Sequence, residues 1–324
     1  MASVIMPVYN GELHLEEAIQ SVLNQSYIDF EFIIINDGST DQSLKIITKY
    51  KLMDNRIHVI SRDNRGLVSS LNEGIAIAQG KYIIRMDADD ICYSDRFEKQ
   101  VDFLETHQSI DILSSYVTII GEENVLLENK LNQPLVHPLK QFLTDWYCFC
   151  HPAVVMRKSI FKTLIGYQCY FAEDLDLWLR ACNEQMQFRK LEVSLLYYRV
   201  HHNSKTKQDN QLLNGIKDAV LLKVQYVREK MGILFHTYAV WGAGVGGITT
   251  IEIMNEHYPD LICIGLIDTY KKGAHDSIPI LTPFEFDFSK ADYVLVATEP
   301  GKAYAADYLE ERELKLLTDY LPVI

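Results

Sequence analysis

Residues 81–90 read KYIIRMDADD: an apolar run, Tyr82, Ile83 and Ile84, that stops on three carboxylates, Asp87, Asp89 and Asp90. Like carboxylates repel one another and resist burial, so a buried strand ending on three of them is costly without a cation to share. A divalent ion bound to a diphosphate would meet that need. Hard oxygen ligands favour Mg2+ or Mn2+ and leave positions for substrate phosphates. A solvated acidic turn is the plain alternative, and this stretch alone does not separate the two.

Upstream, apolar strands alternate with helices. Residues 3–8 form a short strand closed by Pro7 and the turn Tyr9-Asn10-Gly11. Residues 13–23 carry Leu15, Ala18, Ile19 and Val22 at helical spacing, with Glu12, Glu16 and Glu17 in the first turn, where the helix dipole favours acids. A second strand, 30–35, ends in the polar turn from Asn36 to Asp41. A third covers 57–61. Residues 66–79 read as a helix through Leu67, Leu71, Ile75 and Ala78, stopped by Gly80. The fourth strand is 82–86. This order predicts an α/β fold: a parallel sheet with helices on both faces. Ligands of such sheets bind beyond the C-terminal strand ends. There the clusters Pro7-Val8-Tyr9-Asn10, Asn36-Asp37-Gly38 and Asp87-Ala88-Asp89-Asp90 are expected to converge. No glycine-rich loop follows the first strand, so a metal rather than a P-loop would hold phosphates.

Composition narrows the classes. At 324 residues the chain is long enough for two domains, and 48% apolar residues suffice for their cores. A formal net charge of −13 argues against a nucleic-acid partner. No apolar run reaches the roughly 20 residues of a membrane helix. The N-terminus enters a strand without a basic leader, so no signal peptide and a cytoplasmic location are expected. Six cysteines without CxxC pairing fit reduced thiols. Cys148-Phe149-Cys150-His151 lacks the second ligand pair that a zinc site needs.

Four stretches together resemble the family 2 glycosyltransferases: VIMPVYNGELHLEEAIQSVLNQSY (4–27), FEFIIINDGSTD (30–41), GLVSSLNEGIAIAQGKYIIRMDADD (66–90) and FAEDLDLWLRA (171–181). The resemblance covers about residues 1–205. It implies a GT-A-type, mostly parallel sheet and an inverting, metal-dependent enzyme. That enzyme would move a hexose or N-acetylhexosamine from a UDP-sugar to a glycan or lipid-linked acceptor, as in bacterial surface-polysaccharide synthesis, with Mn2+ or Mg2+. Carried over, it places Pro7, Val8, Tyr9 and Glu12 around the base and ribose. Asp37 would accept the uracil imide N–H. Asp87, with Ala88 beside it, would lie near ribose and metal, and Asp89 would bind the metal directly. Asp174 would be the catalytic base. His201 would complete the metal or diphosphate site, with His202 an equal candidate. Relatives carry Ala-Arg-Asn on the helix before the acids. Here Ser70-Leu71-Asn72 stands instead, and Arg65 or Arg85 is a candidate replacement.

A single displacement needs a base for the acceptor hydroxyl and charge stabilisation on the leaving diphosphate. Asp174 opens a helix, where the dipole keeps a carboxylate ionised; a plain N-cap pair with Glu173 is the alternative. Glu173 and His151 are expected on the sugar and acceptor side. The aromatic group Trp146, Tyr147, Phe149, Tyr167, Tyr170 and Phe171 offers either a sugar platform or core packing. Residues 166–171 could form a lid.

We divide the chain into a glycosyltransferase domain (1–205), a helical linker (206–232) and a Rossmann-like α/β domain (233–324). The stretch 212–231 is an amphipathic helix with Lys217, Lys223, Arg228 and Lys230. It suits inter-domain packing, a homo-oligomer seam or peripheral contact with an anionic membrane. Strand 237–241 leads into Gly242, Gly244 and Gly247 of a G-x-G-x-x-G pattern. A helix to about 257 and strand 261–267 follow, ending on Asp268 at a ribose-binding position. This marks a second nucleotide site or a structural module, about half a dinucleotide fold. A nicotinamide-dependent oxidoreductase built on these glycines is the alternative function. A nucleotide-sugar pyrophosphorylase would need a glycine- and arginine-rich loop after the first strand. A catalytically silent sugar-binding protein would not need every acid.

Overall fold

The computed structural model describes residues 1–168, 171–201 and 209–324. The chain forms two compact units, Met1–Phe142 with Trp146–Ser204, and Leu143–Asp145 with Lys205–Ile324.

The first unit opens with β1 (Ala2–Val8), α1 (Leu15–Leu23), β2 (Phe30–Asp37), α2 (Ser43–Met53), β3 (Ile57–Arg62), α3 (Leu67–Ile77) and β4 (Tyr82–Arg85). It continues through β5 (Ile91–Cys92), α4 (Arg96–Thr106), β6 (Ile112–Ile120), α5 (Pro138–Asp145, whose last three residues are grouped with the second unit), β7 (Val155–Arg157), α6 (Ile160–Leu164), α7 (Glu173–Asn183) and β8 (Phe188–Arg199). The sheet order is β3-β2-β1-β4-β7-β6-β8-β5. The first four strands are parallel. β7 then runs antiparallel to both β4 and β6, and β5 antiparallel to β8. The sheet is thus mixed and mostly parallel, as expected, with its antiparallel pairs confined to the half beyond β4. β2 also runs further than its apolar stretch: Asn36 and Asp37 pair with Ser61 and Arg62 instead of forming a turn.

The two faces of the sheet follow the period-2 alternation of its strands. Val4, Met6, Val8, Phe32, Ile34, Tyr82 and Ile84 pack with Leu15, Ala18, Ile19 and Val22 of α1 and Phe97, Val101 and Leu104 of α4. Each large apolar side chain so buried contributes about 1.5–3 kcal/mol. The opposite face takes Ile5 and Ile35 against α3, where a Cβ on Gly74 would lie 2.6 Å from Ile5 Cγ2. Arg85 alternates onto this second face.

The second unit contains α8 (Asp209–Gln225), extended by a π-helical turn, then β9 (Thr237–Trp241), α9 (Val245–His257), β10 (Ile262–Ile267), β11 (Gly273–His275), β12 (Ile278–Leu281), β13 (Tyr293–Val296), α10 (Lys302–Glu310) and β14 (Tyr320–Pro322). Its sheet order is β11-β12-β10-β9-β13-β14, parallel except for β11. Among the described residues six strands form, where the sequence alone suggests three, over 237–241, 261–267 and 291–297. The shorter ones are too brief to show a period.

The expected basic face of the 212–231 helix is divided. Lys223 is fully buried with Val220, Val224 and Val227, and its Nζ donates to the Pro322 and Val323 carbonyls. Arg228 donates to the Phe235 carbonyl and stacks over the Phe235 and Tyr258 rings. The Lys223 ammonium therefore faces protein rather than solvent. The cause is packing: Lys223 falls on the helix's apolar stripe.

Candidate active site

β4 ends at Arg85, and the chain turns directly into the acids. Asp87, Asp89 and Asp90 present carboxylate oxygens within 4.8 Å of one another, the one such cluster among the described residues. Asp90 is 1% exposed. Its Oδ1 accepts the Arg199 N–H at 2.8 Å, while Oδ2 is buried without a partner. Burial, then the charges of Asp89 and Asp87, push its carboxyl well above the usual range. Arg85 Nη2 donates to Asp87 Oδ1 at 2.6 Å.

The end of β8 clamps this turn. Arg199 donates from Nε to the Asp89 carbonyl (2.8 Å), from Nη1 to Asn124 Oδ1 (2.7 Å) and from Nη2 to Glu17 Oε2 (2.8 Å). Two residues on, His201 Nε2 stands 3.0 Å from Asp89 Oδ2. The His14 ring lies 5.3 Å from that of His201. Burial, then the charges of Arg199 and His201, lower the His14 pKa. Crowded carboxylates, an imidazole and an unsatisfied buried oxygen form a donor set that fits a hard divalent cation.

At the ends of β1 and β2, the expected base pocket is knitted by hydrogen bonds. Asp37 Oδ1 accepts from Arg62 and from the Arg65 N–H (2.7 Å), and Oδ2 from the Gly66 N–H (2.9 Å). One lone pair of Oδ2 is left for a further donor. Glu12 Oε2 accepts the Gln42 N–H at 2.7 Å, and the Glu12 N–H donates to Asp41 Oδ2 at 3.0 Å. Val8 packs in the core, so only its backbone can line a pocket, whereas Tyr9 is 56% exposed. Pro7 lies between Met6 and Val8 in β1, and Ala88 packs partly buried against the core.

The third corner is the start of α7. Glu173 is buried and Asp174 half-buried in its first turn. Asp174 Oδ1 accepts the Leu175 N–H at 2.8 Å. His151 bridges Tyr167 and Glu173: its Nε2 lies 2.8 Å from the Tyr167 hydroxyl and its Nδ1 3.7 Å from Glu173 Oε1. Asn72 of α3 positions Tyr167. Its Nδ2 donates to the Tyr167 carbonyl and its Oδ1 accepts the Tyr167 N–H, both at 2.9 Å. Gly166 makes this possible, with φ +75° and room for no Cβ: one would sit 2.4 Å from Asn72 Oδ1.

Of the aromatic group, Phe149 is core, packed edge-on to Phe142, Trp178 and Phe188. Tyr167 is buried; Tyr147 and Phe171 are partly exposed. Tyr170 and His202 lie outside the described residues, as do two positions of the expected 166–171 lid.

In the second unit the glycine turn is closely packed. A Cβ on Gly247 would lie 1.8 Å from the Gly242 carbonyl oxygen, so α9 rests directly on the turn. Gly244 precedes the first residue of α9 and has open space around its Cα. Asp268 Oδ2 accepts the Ala243 N–H (3.0 Å), and Oδ1 accepts those of Tyr270 (3.0 Å) and Lys271 (2.9 Å). The ribose-position acid is thereby a backbone tie.

The reading of motifs gave Arg199, Asn124, Glu17 and Asn72 no place in the site and named Tyr167 only among the aromatic residues. Their partners lie far away in sequence, 182 residues for Glu17 and Arg199, and no local pattern announces them. A buried-strand arginine directly before the acids was the one available signal for Arg85.

A mixed sheet whose central strand ends on an acid cluster, with a helix-borne carboxylate pair beside it, is the architecture of a GT-A-type glycosyltransferase. The sequence profile of "Glycosyl transferase family 2" matches residues 3–165. EpsE of Bacillus subtilis, a putative glycosyltransferase, is 35% identical over 242 residues, 73% of this chain and 85% of that one. The O-antigen biosynthesis glycosyltransferase WbnJ of Escherichia coli is 32% identical over 211 residues, 64% of this chain and 82% of that one. S. aureus TarS (residues 1–349), solved with UDP-GlcNAc, aligns at a TM-score of 0.56 and 18% identity, over 80% of this chain and 72% of that one. The chain belongs to glycosyltransferase family 2 and is a glycosyltransferase. No helix among the described residues is long and apolar enough to cross a membrane.

Proposed function

We propose that this enzyme transfers a hexosyl or N-acetylhexosaminyl group, with inversion, from a UDP-sugar to a hydroxyl of a glycan or lipid-linked acceptor in surface-polysaccharide assembly. The observation that carries the reading is the acid turn itself: three carboxylates within 4.8 Å, with His201 3.0 Å from Asp89. Asp87, Asp89 and His201 would hold Mn2+ or Mg2+, which when bound supplies Lewis-acid stabilisation of the departing diphosphate. The UDP-GlcNAc complex of TarS supports a UDP-sugar donor, and the O-antigen role in WbnJ's name supports a polysaccharide product.

The residues divide the work. Asp37, Glu12 and Tyr9 border the nucleoside end, beyond β1 and β2. Asp174, at the head of α7, takes the proton of the acceptor hydroxyl as that oxygen attacks the anomeric carbon and the UDP departs. Glu173 and His151 face the sugar and acceptor, their orientation held by Tyr167 and Asn72.

The test is UDP release from UDP-glucose, UDP-galactose and UDP-GlcNAc, comparing wild type with Asp174→Asn. The variant is expected to bind UDP as tightly as wild type while turnover falls about 10²–10⁴-fold. Undiminished turnover would require a different base.

A further inference from the structure

Arg199 closes β8 and is buried, and its bonds run to the acid turn and to two supports beside it. Its N–H donates to Asp90 Oδ1 and its Nε to the Asp89 carbonyl, both at 2.8 Å. Nη2 donates to Glu17 Oε2 at 2.8 Å and Nη1 to Asn124 Oδ1 at 2.7 Å. Asn124 Nδ2 in turn donates to Glu17 Oε1 at 3.3 Å, which closes a ring of three side chains. Bringing Asn124 there strains the backbone. Glu123 and Asn124 both take the left-handed conformation, φ +57° and +61°, which residues with a Cβ adopt rarely and asparagine more readily than most.

The guanidinium pairs with Glu17 on α1, outside the acid cluster, and not with the carboxylate of Asp87 or Asp89. It meets the turn at a backbone carbonyl instead. An arginine serving only to neutralise the acids would pair with their oxygens, as Arg85 does with Asp87. One that braces them from behind leaves those oxygens to a cation. Asp89 is thereby fixed at its carbonyl by Arg199 and at its carboxylate by His201, two residues further along the same chain.

We infer that Arg199, held by Glu17 and Asn124, is a positioning residue for the cation: it sets the Asp89 carboxylate and His201 in the geometry that the metal needs. The inference rests on the metal-assisted glycosyltransfer proposed above. A functional site needs its ligands held to within about 0.5 Å. The carboxylates of Asp87 and Asp89 repel each other, so an unbraced turn would spread before an ion arrives. Removing such an outer support of a metal ligand weakens metal binding about 10–100-fold.

The experiment is calorimetric titration of Mn2+ into wild type, Arg199→Lys, Asn124→Gly and Glu17→Ala in the presence of UDP, with UDP binding in EDTA and thermal melting of each. Lysine is a point charge rather than a fork, so it cannot hold the Asp89 carbonyl, Glu17 and Asn124 together. Glycine suits the left-handed backbone at 124, so Asn124→Gly removes the amide without adding strain. We expect Mn2+ affinity to fall about 10–100-fold in Arg199→Lys and at least about threefold in the two support variants. UDP affinity in EDTA should match wild type, and excess Mn2+ should restore turnover in Asn124→Gly. A lower melting temperature with wild-type Mn2+ affinity in Arg199→Lys would make the arginine a fold clamp only and overturn the inference. So would an equal loss of UDP affinity in EDTA, which would mark a general disruption of the site. If Arg199→Lys does not fold, wild-type Mn2+ affinity in both Asn124→Gly and Glu17→Ala overturns it. Failure of wild type itself to bind Mn2+ with UDP would overturn the metal reading, and this inference with it, whatever the variants do.

Discussion

His201 Nε2 stands 3.0 Å from Asp89 Oδ2, a contact between residues 112 apart that joins the end of β8 to the acid turn after β4. Whether the imidazole binds a cation directly or orients the Asp89 carboxylate, its loss weakens the site. His201→Ala is expected to lower Mn2+ affinity in the presence of UDP about 10–100-fold. Calorimetric titration reads this directly, and unchanged affinity would remove His201 from the site.

Gly166 shows how the sugar side is built from the backbone. Its positive φ and its contact with Asn72 let the two hydrogen bonds between the Asn72 side chain and the Tyr167 backbone form. Gly166→Ala adds a Cβ in a strained conformation against that amide. We expect a loss of about 1–3 kcal/mol in stability. Turnover should fall more than UDP affinity, because Tyr167 carries His151. Thermal melting and UDP release, measured together, check both.

Lys223 makes stability depend on pH. Burial, then the charge of Lys302, pushes its pKa down from 10.5 to about 7. Between those values the unfolded chain binds the extra proton and the folded chain does not, so stability rises with pH and the penalty is full below about 7. Lys223→Met removes the penalty along with the bonds to Pro322 and Val323. The melting temperature of the variant relative to wild type is therefore expected to be highest near pH 7 and to decline toward pH 10. The underlying change is on the order of 1 kcal/mol per pH unit. A difference independent of pH would contradict the assignment.

The parallel half of the sheet was legible because each of its strands is an apolar run closed by polar or glycine residues. β5, with two residues, and β6, with Ser114, Ser115 and Thr118 inside it, carry no such signature. The acid cluster was legible because Asp87, Asp89 and Asp90 are neighbours in sequence, whereas Asp174 was singled out only through the family resemblance. The clamp from Arg199 and the tie from Asn72 could not be read, because each depends on pairing that only the folded sheet brings about. The burial of Lys223 had a visible clue: it lies three residues after Val220 and four before Val227, on the stripe those valines bury.

The central claim is that the acid turn holds a divalent cation needed to release UDP from a UDP-sugar. It is tested most directly by UDP release from the best donor with Mn2+, with Mg2+ and with EDTA, for wild type and Asp89→Asn. The account predicts release that EDTA abolishes, that added metal restores, and that Asp89→Asn lacks under every condition. Release by wild type at full rate in EDTA, or near-normal release by Asp89→Asn, would contradict it.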